Sequence, residues 1–157
     1  MLLLDVLGMK SATWERDGKD VVVGSSFLHA TPRDLAKFGY FYLSDGCWEE
    51  GRVLPENWVK LSTQVSRPIR LKSYERGPED VQGWQWWINQ PIPGVQEERP
   101  WPHVPADAYA ARGHWGQSIS IIPSKDLVVV RTGDDRDGSF LLDTFLQRVL
   151  AVVEGLP

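Results

Sequence analysis

The residues best suited to chemistry in this chain form one short segment, Gly113-His114-Trp115-Gly116-Gln117. Glycine at position 116 lets a substrate lie close to the backbone, and the amide N–H that follows can then point at a developing oxyanion. His114 adds an imidazole, which titrates near neutral pH and can orient a carboxylate or share a proton. The segment therefore predicts a surface that stabilises the charge formed during acyl transfer, with Trp115 as the tryptophan placed for substrate contact.

The same segment also has a purely structural interpretation. His114 can be a satisfied surface residue, and its flanking glycines can simply relieve a bulge. A third hypothesis makes Ser118 a nucleophile activated by His114. Residues four apart on a strand share a face but lie ~13 Å apart, so this pair requires a break in the strand.

Other standard catalytic spacings are missing from the sequence. It contains no G-x-S-x-G elbow, P-loop or G-x-G-x-x-G motif. The three histidines, His29, His103 and His114, lack the i, i+4 spacing of a helical zinc site, and Cys47 is distant from them. Residues 134–137 are acidic but lack the pattern of a calcium loop, which indicates a solvated turn. We expect no metal and no cofactor.

Composition limits the class of protein. A length of 157 residues with 42% hydrophobic content suits a single globular domain spanning residues 1–157. The 17 basic and 21 acidic residues are spread along the chain and give a net charge of −4, so no basic stripe favours nucleic acid. The apolar start at Met1 ends at Asp5, far short of the ~20 residues of a membrane span. A single cysteine closes no intrachain disulfide, and the compartment stays undetermined.

Helical periodicity predicts four helices. One covers residues 2–7 and ends at Gly8, and a better marked one has Thr31 as N-cap and Pro32 at its first position. Residues 55–61 predict a short helix, and a long helix follows a cap at Asp137 or Ser139. The inner face of the third helix is expected at Trp58, Val59 and Leu61. The apolar stripe of the last is Leu142, Phe145, Leu146, Val149, Leu150 and Val153, and it should lie on a sheet.

Strands are predicted around the polar segment. Two-residue alternation predicts a strand over residues 83–89, with Trp84, Trp86 and Ile88 on one face, and three antiparallel strands follow between residues 108 and 133. A hairpin turn at residues 123–126 joins the last two, and the run 127–130 should be covered on both faces. Long loops are expected at 64–83 and 90–107. The fold class is therefore α+β, with an antiparallel sheet of about four strands, a C-terminal helix packed on it and short helices before it.

Six segments, in this order, resemble the serine β-lactamase family, the broad group of class C β-lactamases, penicillin-binding DD-peptidases, related esterases and amide hydrolases. The resemblance covers nearly the whole chain, and the combination is specific although each segment is short. The segments are Val6-Leu-Gly-Met9, Ala30-Thr-Pro-Arg-Asp-Leu-Ala-Lys-Phe-Gly39, Val53-Leu-Pro-Glu-Asn-Trp58, Gly83-Trp-Gln-Trp-Trp87, Gly113-His-Trp-Gly-Gln117 and Pro123-Ser-Lys-Asp-Leu-Val-Val-Val130.

The resemblance implies roles for the polar segment. That family works with an S-x-x-K helix, a Y-x-N loop and a K-T-G or H-x-G strand. By this likeness His114 is the basic residue of the strand motif, Gly116 is its glycine, and the N–H of Gln117 is one oxyanion donor. No serine of the chain is followed three residues later by lysine, and no tyrosine has asparagine two residues on.

We therefore expect the C-terminal part of a hydrolase whose nucleophile lies in a preceding segment, and a chain that is inactive alone. A small ester, amide or β-lactam is the implied substrate, and a homo-oligomer or a complementing N-terminal chain is the implied cover for an exposed edge or face. The alternative is a non-catalytic truncated or degenerate paralogue that acts as a binding or interaction module. Substrate choice within the group is not determined by the sequence.

Overall fold

The computed structural model describes residues 3–24, 26–49, 51–66 and 81–155. Its helices are α1 (Leu3–Val6), α2 (Pro32–Leu43), α3 (Trp58–Ser62) and α4 (Leu142–Glu154). Its strands are β1 (Thr13–Trp14), β2 (Leu28–His29), β3 (Cys47–Trp48), β4 (Gly51–Arg52), β5 (Trp87–Ile88), β6 (Tyr109–Arg112), β7 (Ser118–Ile122) and β8 (Leu127–Arg131). The α+β fold class predicted from the sequence is confirmed.

The main sheet has four antiparallel strands in the order β5-β6-β7-β8, and two short hairpins, β1-β2 and β3-β4, lie outside it. Neighbouring strands of the main sheet follow one another along the chain, so every connection is local. A short 3₁₀ turn at Pro123–Lys125 and a left-handed Asp126 (φ 47°) close the hairpin between β7 and β8. The predicted hairpin turn is confirmed.

Side-chain alternation divides the main sheet between two apolar cores. Tyr109 and Ile121 belong to the core shared with α2, whereas their neighbours Ala110 and Ile122 belong to the core shared with α4. On β8, Val128 packs on the α2 side and Val129 on the α4 side. Because successive strand residues point to opposite faces, both faces are covered, as expected for this strand. Helix α4 contributes Leu142, Leu146 and Leu150, which confirms that its apolar stripe lies on the sheet; the prediction is wrong for Val153, which is 38% exposed.

Helix α2 begins where the sequence predicts. The Thr31 side chain accepts a hydrogen bond from the Asp34 amide at 3.4 Å, and Pro32 occupies the first turn. Its close contact with the sheet depends on Gly39. A Cβ at this position would lie 2.5 Å from Cγ1 of Val128 and 2.9 Å from Cγ2 of Ile119. The missing side chain therefore sets how near the helix approaches β7 and β8.

The strand predicted over residues 83–89 is shorter than expected. Only Trp87 and Ile88 pair with β6, because Gln85 has a left-handed backbone (φ 67°) that interrupts any extended run. The change of direction leaves Trp84 51% exposed while Trp86 is 4% exposed. The prediction that both tryptophans share a buried face is wrong for Trp84.

Helix α3 is also displaced from its predicted position. It begins at Trp58, after a left-handed Asn57 (φ 63°), and not at residue 55. Trp58 and Leu61 are 37% and 47% exposed, so the predicted inner face is wrong at both positions. Trp58 instead packs edge-on against Trp84, with the ring centroids 5.8 Å apart.

Helix α4 begins at Leu142, and no side chain caps it. The predicted caps at Asp137 and Ser139 are wrong because these residues form a separate turn before the helix. The Ser139 amide donates to Oδ1 of Asp137 at 3.1 Å, and the Phe140 amide donates to Oδ2 of Asp135 at 3.0 Å. The carboxylates that could have capped the helix are thus engaged by the turn itself.

The structure describes the second of the two predicted long loops in full and only the ends of the first. Most of the first lies outside the described residues, since positions 67–80 are not among them. The second, residues 90–107, contains only an isolated bridge between Ile92 and Gln96. It is tied to α4 by His103, whose amide and Nδ1 both lie within hydrogen-bond distance of the Asp143 carboxylate, at 3.0 and 2.6 Å.

Candidate functional site

The polar segment forms the connection between β6 and β7. A 3₁₀ turn spans His114–Gly116, and the Gly113 amide closes it by donating to the carbonyl oxygen of Gln117 at 2.9 Å. Trp115 and Gly116 both have positive φ, at 57° and 78°. Gln117 then returns to an extended conformation (φ −69°, ψ 141°) and leads into β7. The strand therefore breaks at the motif and resumes directly after it.

Residues beyond the motif hold this turn from one side. Arg131, the last residue of β8, donates through Nη1 to the carbonyl oxygen of Gly116. The Asp135 amide donates to the carbonyl oxygen of Trp115 at 3.0 Å. Two successive carbonyls of the turn are therefore bound, one by the last residue of β8 and one by the segment that follows it.

Glycine at position 116 suits this packing. A Cβ at residue 116 would lie 2.5 Å from Nη1 of Arg131 and 3.2 Å from Cβ of Asp135. Its positive φ also falls in the region that glycine adopts at the least cost. Both observations favour glycine at position 116 on geometric grounds that are independent of any catalytic role.

The aromatic side chains of the motif lie at the surface. Trp115 is 40% exposed, and its ring centroid lies 4.5 Å from that of His114. The guanidinium carbon of Arg136 lies 4.4 Å from the Trp115 ring centroid, in a cation–π contact. Arg136 also bonds Asp134 at 2.8 Å. The exposed surface thus combines an imidazole, an indole and a guanidinium that a small molecule can reach.

The other candidates from the sequence lie elsewhere. His29 bonds Glu15 at 2.7 Å in the small β1-β2 hairpin, and His103 bonds Asp143 on α4. Ser118 and His114 differ in exposure. Ser118 is 5% exposed with a buried hydroxyl, whereas His114 is exposed. The hypothesis of a Ser118–His114 pair gains nothing from this geometry.

Hydrogen bonds shape the electrostatics of the turn that follows β8. The hydroxyl and amide of Ser139 stabilise the Asp137 carboxylate, which lowers the pKa of Asp137 below its usual value. Asp135 accepts from the Ser139 hydroxyl at 3.2 Å and from the Phe140 amide. These carboxylates are thus occupied in holding the turn, as the interpretation of a solvated turn requires.

A surface cavity of about 350 Å³ lies at the other end of the sheet. Its lining includes Tyr42, Ile88, Asp107, Tyr109 and Pro123, and none of the motif residues. Burial raises the pKa of Tyr109, which therefore remains a neutral phenol. The cavity is separate from the motif, because Tyr109 is the first residue of β6 and the motif follows Arg112 at the other end of that strand.

Metal sites and membrane spans are both absent from the part of the chain that the structure describes. No group of three or more His, Cys, Asp or Glu side chains in those residues could hold a metal ion. Among the helices seen there, none is both long and apolar enough to cross a membrane.

Sequence reasoning missed Arg131 and Arg136 as neighbours of the motif. A signal for Arg131 was present, because the hairpin register pairs it with Ser118, one residue after the motif ends. Arg136 gave no such signal, since its position over Trp115 depends on the course of an irregular turn.

The four-stranded sheet with a helix on each face has an α+β fold similar to that of two solved structures. A protein from Bacillus anthracis assigned as a 6-aminohexanoate-dimer hydrolase superposes with a TM-score of 0.60 at 22% identity, over 91% of this chain and 32% of that one. A protein from Bacteroides dorei assigned as a β-lactamase gives a TM-score of 0.62 at 16% identity, over 96% of this chain and 49% of that one. At these identities the likeness concerns the fold.

Similarity to known sequences is limited to part of the chain. No family model matches the chain. An uncharacterized protein of Alkalihalophilus pseudofirmus is 29% identical over 104 residues, which cover 66% of this chain and 29% of that protein. The chain thus spans less than a third of this relative and at most about half of the two similar structures.

Proposed function

We propose that this chain is the C-terminal portion of a β-lactamase-like serine hydrolase domain, which transfers the acyl group of an ester, amide or β-lactam to water. The observation that carries the proposal is the turn at residues 113–117. A Cβ on Gly116 would lie 2.5 Å from Nη1 of Arg131, and the turn leaves Gln117 exposed just before the buried strand β7. The likeness of the fold to the two hydrolase-assigned structures supports the same reaction class.

Each motif residue has a role in this proposal. The N–H of Gln117 donates to the oxyanion of the tetrahedral intermediate, and Gly116 lets the substrate approach the backbone. His114 is the basic residue of the strand motif, and Trp115 contacts the substrate. A single oxyanion donor is worth about 3 to 4 kcal/mol of transition-state stabilisation in hydrolases. This surface can therefore stabilise the intermediate, but it carries no nucleophile to form it.

The nucleophile comes from a different segment. The 157 residues contain neither S-x-x-K nor Y-x-N, so they offer no activated serine of the expected type. The partial coverage of the similar structures is in keeping with such a division. The implied partner is a complementing N-terminal segment or a second copy of the chain, and the implied substrate is a small molecule.

The first test uses the purified chain with a chromogenic short-chain ester, a chromogenic cephalosporin and a fluorophosphonate serine probe read by intact mass. We expect neither turnover nor label. Stoichiometric label on one serine, lost in His114→Ala, would instead make the chain a hydrolase of a different design.

A second test supplies the missing part. If the reading frame upstream of Met1 encodes S-x-x-K and Y-x-N, the two segments expressed together should hydrolyse one of these substrates. Gln117→Pro removes the backbone donor at a φ that proline accepts and should lower kcat about 10²- to 10³-fold. Gln117→Ala keeps the N–H and is the matched control. Failure of the combined segments to react or to take the probe would favour the non-catalytic module.

A further inference from the structure

The proposed oxyanion donor shares a peptide group with the carbonyl of Gly116. In a trans peptide the C=O of one residue and the N–H of the next point in opposite directions within one plane, and the structure has no cis peptide among its described residues. Whatever holds the Gly116 oxygen therefore also sets the direction of the Gln117 N–H.

Arg131 holds that oxygen. It is paired with Ser118 across β7 and β8, so its side chain starts beside the motif, and Nη1 donates to the Gly116 carbonyl. The guanidinium is itself fixed, because its central carbon lies 3.6 Å from the centroid of the Phe140 ring. The Phe140 amide is in turn bonded to the Asp135 carboxylate at 3.0 Å. The arginine is thus held between a ring and a backbone carbonyl.

From this geometry we propose that Arg131 is a positioning residue that orients the Gln117 N–H by binding the other end of the same peptide group. The inference rests on the proposed function, because the Gln117 N–H that Arg131 orients is the oxyanion donor of that proposal. Arg131 touches no reacting atom. A cation on the carbonyl also polarises the amide, which makes its N–H a stronger donor.

The arrangement also links the glycine at 116 to this contact. The nearest atom to an added Cβ is Nη1 of Arg131, at 2.5 Å, so a side chain there would displace the guanidinium. The same Arg131 guanidinium therefore occupies the space of a side chain at residue 116 and holds the peptide group in place.

The test is NMR spectroscopy of the purified 157-residue chain. A trans-hydrogen-bond correlation between an Arg131 Nη and the Gly116 carbonyl carbon is expected in the wild type. In Arg131→Met the resonances of the Gly116 carbonyl and the Gln117 amide should shift together, while those of Ala110 and Ile121, one in each apolar core, remain in place. Arg131→Lys, which keeps a cation, should shift them less. Arg148→Met, at an exposed arginine of α4, is the control and should leave both resonances unchanged.

Two results would overturn the proposal. One is a folded Arg131→Met whose Gly116 and Gln117 resonances match the wild type. The other, which applies even if that variant does not fold, is a wild-type spectrum that resolves the Arg131 Nη nitrogens without any correlation to Gly116.

The NMR result is independent of catalysis. In a two-segment hydrolase, Arg131→Met should lower kcat, with KM nearly unchanged, by less than the ~10²-fold minimum expected for loss of a whole donor. A correlation in the spectrum with no hydrolase activity from any segment pair would reject the proposed function and keep the orienting contact. Activity that Arg131→Met leaves intact would reject the positioning role alone.

Discussion

Asn89 and Trp101 bind each other in the interior of the protein. The Trp101 amide donates to Oδ1 of Asn89 at 2.7 Å, and Nδ2 of Asn89 donates to the Trp101 carbonyl at 2.9 Å, with both residues fully buried. The same Nδ2 lies 3.1 and 3.0 Å from the carbonyl oxygens of Val104 and Pro105. One amide side chain therefore satisfies much of the buried backbone in a proline-rich loop that cannot form a ladder of its own.

The first prediction concerns this contact. Asn89→Ala should lower the free energy of unfolding by about 3 kcal/mol or more, because each buried group left without a partner costs about 1 to 3 kcal/mol. Asn89→Asp should be at least as harmful, since a carboxylate cannot donate to the carbonyls. Urea unfolding followed by tryptophan fluorescence measures the change. The exposed neighbour variant Gln90→Ala should stay within about 0.5 kcal/mol of the wild type, and an Asn89→Ala as mild as that would contradict the prediction.

The second prediction concerns the contact of α2 with the sheet. Within a helix, alanine is ordinarily favoured over glycine by about 1 kcal/mol. At Gly39 the new Cβ would overlap Val128 and Ile119, and overpacking costs about 1 to 3 kcal/mol. Gly39→Ala should therefore destabilise the protein in thermal or urea unfolding, contrary to helix propensity. Gly18→Ala, where no atom lies within 4 Å of the new carbon, is the control and should be close to neutral. A stabilised Gly39→Ala would show that the packing yields.

The third prediction separates backbone strain from steric overlap at the motif. Gly116 and Gly138 have similar positive φ, at 78° and 70°, but only Gly116 has atoms in the way of a Cβ. Gly138→Ala should cost about 1 to 2 kcal/mol for the left-handed backbone alone. Gly116→Ala should cost more, because it also displaces Arg131. Equal losses in urea unfolding of the two variants would mean that the guanidinium moves aside freely.

The fourth prediction is a pH dependence at Asp34. Hydrogen bonds from Lys37 and then from the Ser11 side chain and amide lower the pKa of Asp34 from 3.8 to about 2. Because the folded-state pKa is the lower one, the unfolded chain binds the proton more tightly. The stabilisation is therefore complete above about pH 4 and is lost as the pH falls towards 2.

Unfolding of the wild type and Asp34→Asn across pH 2 to 6 gives the check. The stability difference between them should be largest above pH 4 and should shrink as the solution becomes more acidic. Asp20→Asn serves as the control, since the Asp20 side chain is 85% exposed. A difference that stays constant over this range would show that the charge of Asp34 is not what stabilises the contact.

Local patterns predicted several of the regular elements. Thr31 and Pro32 marked the start of α2, residues 123–126 marked the hairpin, and the stripe through Leu146 marked the face of α4. Each of these signals acts over a few neighbouring residues, so it is visible in the sequence. The same reasoning failed where a neighbouring residue competed with the predicted structure. Asp137 did not cap α4 because it was already bonded to Ser139, and Trp84 left the strand face because Gln85 turned the backbone.

By itself the sequence determined the α+β class, the order of the strands at the motif and the identity of residues 113–117 as candidates for the site. Those properties follow from periodicity and from glycine and proline positions, which are local. Only the tertiary structure decided that Arg131 binds the Gly116 carbonyl, that Arg136 covers Trp115 and that Asn89 is buried against Trp101. These contacts join residues brought together by the packing of sheet, turn and loop, and their partners depend on side-chain reach that no spacing in the chain encodes.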